Sequence, residues 1–132
     1  MRFVDANVFV YTIRQSPQND YEISKKILQR IENGEATATS TAVIQEVIDW
    51  LEYNNRRKEI SDFLTAVNSY LSMNKISVTW ENFLPSIPEM HEKQVDFVDS
   101  LTLQVMKEAN INEIYSRDKD FDRVDWVKRI WE

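Results

Sequence analysis

The chain has 132 residues, of which 42% are hydrophobic and 29% charged, with a formal net charge of −6 from 22 Asp+Glu against 16 Lys+Arg. That is one domain, residues 1–132, with enough chain for a real core. It has no cysteine for a disulfide framework or a thiolate metal site, and no run near the ~20 apolar residues of a membrane span.

No basic segment followed by a long apolar one opens the chain, so a cytoplasmic protein with no membrane partner is expected. The acidic balance argues against a basic footprint for nucleic acid. It does not exclude a phosphate substrate, because a carboxylate cluster around a divalent cation presents the ion's charge.

Residues 2–5 read as a first strand and 7–14 as a short helix. Ser16-Pro17-Gln18-Asn19-Asp20 is a turn leading into a helix over 20–33, with Ile23, Ile27, Leu28 and Ile31 on one stripe and Asn33-Gly34 as its stop. A short strand over 36–39 follows, and Ser40-Thr41 caps a third helix over 41–53 that Asn54-Asn55 breaks. Ile60, Phe63, Leu64, Val67, Tyr70 and Leu71 predict a fourth helix over 56–74, and Ile76 to Trp80 a third strand.

Pro85 and Pro88 leave 82–94 as a broken helix or one starting near Pro88. Phe97 to Ala109 is helical, 114–116 is a fourth strand and 127–131 an edge strand. Alternating strands and helices predict an α/β fold, a three-layer α/β/α sandwich around a mostly parallel sheet of four to five strands in the order 3-2-1-4-5.

That order makes strands one and four neighbours at the switch point, where ligands bind in open α/β sheets. Asp5 and Asp118 stand at their carboxyl ends. At about 100° per residue the apolar arc of helix 41–53 centres near Val47 and Leu51. Glu46 then falls at the edge of that arc beside Trp50, while Gln45, Asp49 and Glu52 face solvent. On helix 97–109, Asp99 borders the buried side next to Thr102 and Met106, and Asp96 projects farther out.

Carboxylates sharing one crevice repel and draw protons unless a cation neutralises them. Oxygen-only ligation suits Mg²⁺ or Mn²⁺ rather than zinc. Such an ion, meeting phosphate oxygens directly, serves phosphodiester hydrolysis.

Taken singly, each acid has a plain structural reading. Asp5 caps a helix, Glu46 is a border residue, Asp99 answers a helix dipole and Asp118-Lys119-Asp120 is a charged turn. Jointly they require four accidents on one rim. Arg56-Arg57-Lys58 and Lys25-Lys26 read as solvated faces ahead of a phosphate grip, Trp50, Phe63 and Tyr70 as core ahead of base stacking, and the lone His91 is given no role.

Four segments in order resemble the motifs of PIN-domain ribonucleases, most closely VapC-type toxins. They are Phe3-Val4-Asp5-Ala6-Asn7, Thr39 to Glu46, Phe97-Val98-Asp99-Ser100-Leu101, and Ser116-Arg117-Asp118-Lys119-Asp120-Phe121-Asp122. The resemblance implies a Mg²⁺- or Mn²⁺-dependent endoribonuclease acting on RNA, with Asp5, Glu46, Asp99 and Asp118 as metal-binding acids. It makes Asn7 and Ser116 polar positioning groups and Asp120 or Asp122 auxiliaries, to which the reading of helix 97–109 adds Asp96, ranked below Asp99. It also implies a small antitoxin partner and a homodimer.

Leu103, Gln104 and Met106 depart from the family's small residues after the third acid. Three other readings compete: a non-catalytic interaction module on the same fold, a dehalogenase-like Mg²⁺ phosphatase and a receiver-type phosphoacceptor. The phosphatase wants an aspartate where Asn7 stands. The receiver wants one at the end of strand three, where Thr79-Trp80-Glu81 lies.

Overall fold

A computed structural model describes residues 1–132. Its sheet has five parallel strands in the order β3-β2-β1-β4-β5, as predicted. The strands are β1 (Arg2–Val4), β2 (Thr37–Ser40), β3 (Met73–Ile76), β4 (Glu113–Tyr115) and β5 (Lys128–Ile130). The helices are α1 (Ala6–Arg14), α2 (Gln18–Glu32), α3 (Thr41–Tyr53), α4 (Ile60–Ser69), α5 (Phe83–Lys93) and α6 (Phe97–Glu108).

Successive side chains of a strand point to opposite faces, and Phe3 and Val4 of β1 are both fully buried, as is all of β2. The sheet is therefore covered on both sides, as a parallel sheet requires. Ile27, Ile31, Val43, Val47, Leu51, Leu103 and Met106 supply the helical side of the core. The bulky Leu103 and Met106 are both fully buried in the core. No helix is long and apolar enough to cross a membrane.

Two predicted elements move. Helix 56–74 divides into a 3₁₀ turn at Arg57–Glu59 and α4, which stops at Ser69, and the third strand lies at 73–76 instead of 76–80. The stripe that extended the helix was misleading, since Leu64 is 43% and Leu71 93% exposed. Met73-Asn74-Lys75-Ile76 is an edge strand with two exposed polar residues, so it lacks the β-branched run that marks a buried one. Val78 instead donates its backbone N–H to Thr41 Oγ1 at 2.8 Å. Residues 83–93 form one helix with Pro88 inside it and Pro85 in its first turn, where a missing N–H costs nothing. Other boundaries shift by one or two residues, as helix ends do.

Three helices end alike. After α2 the Gly34 N–H donates to the Ile31 carbonyl and the Glu35 N–H to that of Arg30; Asn55 and Arg56 repeat the pattern after α3, and Asn110 and Ile111 after α6. These are Schellman motifs, whose turning residue takes positive φ: +105° at Gly34, +58° at Asn55 and +58° at Asn110. Gly34→Ala meets no neighbour within 4 Å, so its effect is purely backbone strain. It is expected to destabilise by about 1 kcal/mol, read from the denaturant midpoint at unchanged m. A neutral result would show that the α2 terminus relaxes to another conformation.

Candidate metal centre

The register sets β1 and β4 level, pairing Phe3 with Ile114 and Val4 with Tyr115. Where pairing stops, the Asp5 N–H donates to the Tyr115 carbonyl at 3.1 Å, so Asp5 and Ser116 leave the sheet side by side. Asp5 is 5% exposed, and it is both helix cap and site residue. Its Oδ1 accepts from the Ala6 N–H at 2.8 Å, opening α1. Its Oδ2 accepts from Ser116 Oγ at 2.6 Å and from Asn7 Nδ2 at 3.2 Å.

The Ser116 hydroxyl is a junction. Besides donating to Asp5, it accepts from Asn7 Nδ2 at 3.2 Å and from the Asp118 N–H at 3.0 Å. Asn7 Oδ1 in turn accepts from the Arg117 N–H at 3.1 Å. Asn7 and Ser116 therefore tie the end of β1 to the segment carrying Asp118. With all its polar atoms so engaged, Asn7 is a fixed strut rather than the mobile acid/base a phosphatase reading would need.

Ser40 caps α3 by accepting from the Val43 N–H, and α3 then carries Glu46 half-buried toward the same end of the sheet. Asp96 caps α6, accepting from the Asp99 N–H at 2.8 Å; it is exposed, and Asp99 is 7% exposed. The four predicted acids Asp5, Glu46, Asp99 and Asp118 line one cleft of about 220 Å³. Asp96 and Asn7 share it, with Ala6, Val10 and Trp50 as its apolar wall.

The tightest grouping includes a residue the sequence ranked only as auxiliary. One carboxylate oxygen each from Asp99, Asp118 and Asp120 lie within 4.8 Å of one another. Asp120 reaches that position because its N–H donates to Asp118 Oδ1 at 2.9 Å, folding residues 119–123 into a 3₁₀ turn. Its place in the closing motif Ser116 to Asp122 was the sequence signal for it. Asp122 turns the other way and pairs with Arg129 at 2.9 Å, which holds its carboxyl below the ordinary value. Exposed His91 stands on α5.

Three of these carboxyls are raised. Burial is the largest cause in each case, with the neighbouring acids adding to it. Asp5 is pushed up to about 6, against the opposing hydrogen bonds from Ser116 and Ala6. Glu46 is pushed up to about 7 and Asp99 to about 8, each with Asp5, Asp96 and Asp118 as further causes. A cleft that raises its own acids in this way has a charge deficit that a cation would fill.

The donor set fits a hard divalent ion. It is all carboxylate oxygen, and three of the oxygens lie within 4.8 Å of one another, near enough for one ion to draw them together. Asp5, Asp96, Asp99 and Asp118 also sit at helix or 3₁₀ N-termini, whose dipoles favour negative charge.

Three solved structures share this fold. VapC20 of Mycobacterium tuberculosis, described as a sarcin–ricin loop cleaving toxin, is 18% identical with a TM-score of 0.79, over 96% of this chain and 97% of that one. VapBC2 of Rickettsia felis, bound to a promoter DNA fragment, is 14% identical with a TM-score of 0.72, over 99% and 98%. A toxin–antitoxin complex from Klebsiella pneumoniae is 16% identical with a TM-score of 0.65, over 97% and 96%. No curated protein matches in sequence. The PIN domain description matches residues 2–127, nearly the whole chain, and so the protein belongs to the PIN domain family.

Proposed function

We propose that this protein is a divalent-metal-dependent endoribonuclease, the toxin of a toxin–antitoxin pair. The observation that carries the reading is the single cleft at the carboxyl ends of β1 and β4, lined by Asp5, Glu46, Asp99 and Asp118 with Asp120 against the last two. Membership of the PIN family and the likeness to VapC toxins support it. The toxin–antitoxin complexes among the structural neighbours support a small antitoxin as partner. A homodimer is the assembly we assign to it.

In this reading Asp5, Glu46, Asp99 and Asp118 hold Mg²⁺ or Mn²⁺, with Asp120 and Asp96 as auxiliaries. The bound ion would offset the carboxylates' charge, polarise a phosphodiester and lower the pKa of a water. The chain's own contribution is preorganisation. Ser116 and Asn7 fix the Asp5 carboxylate through two hydrogen bonds to Oδ2, so it need not reorient when substrate arrives. Ser116 also holds the backbone that presents Asp118.

The test is cleavage of single-stranded RNA by the purified protein. Activity is expected with Mg²⁺ or Mn²⁺, to vanish in EDTA and to return when the cation is restored in excess. Undiminished cleavage in EDTA would overturn the metal reading, and no cleavage of any RNA with either cation would overturn the nuclease one.

A further inference from the structure

The acids account for one end of the cleft and leave its uncharged wall without a task. That wall is Ala6, Val10 and Trp50, and Trp50 is the only aromatic side chain lining the cleft. It stands one helical turn after Glu46 on α3, half-buried, so part of its indole packs on the core while part faces the cleft. Its spacing on the helix favoured a core role over base stacking.

The ring is held in place. The Arg56 guanidinium lies over it, 5.6 Å from the centroid. Arg56 is fixed in turn by Glu59, with Nη2 donating to Oε1 at 3.0 Å, and by the Ile13 carbonyl at 3.4 Å. The indole's freedom is thus already spent before any ligand arrives, which favours it as a rigid anchor.

A nucleic acid approaching this cleft meets carboxylates that repel its phosphates wherever no cation intervenes. A base carries no charge and offers a π face, so an aromatic wall attracts the part of the substrate that the acids do not. In a duplex that face is covered by its stacked neighbours; only an unpaired, splayed-out base can present it. At about 220 Å³ the cleft is also smaller than the ~300 Å³ of sites that enclose a whole drug-sized ligand.

We propose that Trp50 is a specificity-determining residue, stacking on an unpaired nucleobase beside the phosphate at the carboxylate cluster. This rests on the nuclease reading above. Base–aromatic stacking of this kind is worth about five- to a hundredfold in affinity per base.

The experiment compares wild type, Trp50→Ala and Trp50→Phe on a fluorescein-labelled single-stranded oligoribonucleotide pool with Mn²⁺. An abasic residue is then placed on either side of the mapped cut. Trp50→Ala is expected to raise KM about tenfold, with the loss in KM rather than kcat, and Trp50→Phe to recover most of it. The abasic residue at the stacked position should cost wild type a similar factor and cost Trp50→Ala nothing. An unchanged KM, or equal abasic penalties in both proteins, overturns the proposal. Equal losses in the Ala and Phe variants with a lowered unfolding temperature also overturn it, leaving Trp50 a core residue.

Should wild type cleave no RNA, the nuclease reading falls and this inference is judged on binding, by anisotropy of the same pool in Ca²⁺. Binding weakened about tenfold by Trp50→Ala sustains the stacking role without the nuclease. Binding that Trp50→Ala leaves unchanged, or none at all, overturns it.

Discussion

Replacing Asp5 by Asn is expected to reduce Mn²⁺-dependent RNA cleavage by about 10²–10³-fold while leaving the protein folded. The substitution is nearly isosteric, so the loss would come from charge and from hydrogen-bond polarity. If the amide keeps its oxygen toward Ser116 and Asn7, its NH₂ must face the Ala6 N–H that now donates to Oδ1 at 2.8 Å. If it flips, the NH₂ meets two donors instead. Either way one cap or strut is lost, at about 1 kcal/mol.

That cost is offset, because burial already holds the Asp5 carboxyl up at about 6 and the neutral amide escapes the penalty. Stability near neutral pH should therefore change little as activity collapses. Asp49→Asn provides the control, since Asp49 is exposed on α3 and hydrogen-bonded to Gln45; it should stay within about twofold of wild type by the usual insensitivity of surface positions. Activity in Asp5→Asn within tenfold of wild type, or full Mn²⁺ stabilisation of that variant, would remove Asp5 from the metal set.

The elements that deliver the acids were the ones most legible in the sequence. Asp5 and Ser40 are N-caps that directly follow β1 and close β2, so a polar residue ahead of an apolar periodic run located both helix start and strand end. The parallel order followed from alternation, and with it the meeting of β1 and β4. What was hidden lay where local pattern and burial diverge. α4 is amphipathic over two turns only, and the next apolar residue, Leu71, points into water. β3 is an edge strand whose pairing comes from β2, not from its own composition.

The same divergence explains the site. A helical wheel put Glu46 and Asp99 on borders, but it could not show that the turn after Asp118 closes through an Asp120 N–H and brings that third carboxylate alongside. Nor could spacing alone separate a Trp50 that is all core from one that is half core and half cleft.

The second large effect is on stability, and its sign is opposite with and without metal. Asp5, Glu46 and Asp99 have ordinary values of 3.8, 4.5 and 3.8, and the folded cleft raises them to about 6, 7 and 8. Between these limits the metal-free native state binds more protons than the unfolded chain, so stability must fall as pH rises. The contribution is fully present below about pH 4 and is lost progressively up to about pH 8.

Asp99→Asn replaces the most perturbed acid by a group that resembles its protonated form, removing a charge that burial and the neighbouring Asp5, Asp96, Asp118 and Glu46 disfavour. At pH 8 in EDTA the variant should be more stable than wild type by about 2–3 kcal/mol, or roughly 10 °C in Tm, and the gap should close toward pH 4. Saturating Mn²⁺ at pH 7 reverses the order. Wild type gains about 4 kcal/mol at a thousandfold excess over Kd, more than the metal-free gap, whereas the variant, short of one ligand, gains much less. Thermal unfolding at pH 4.5, 6 and 8 in EDTA, and at pH 7 with Mn²⁺, reads all of this. Parallel pH curves for the two proteins would show that Asp99 carries no strained charge, and equal Mn²⁺ shifts would place the ion elsewhere.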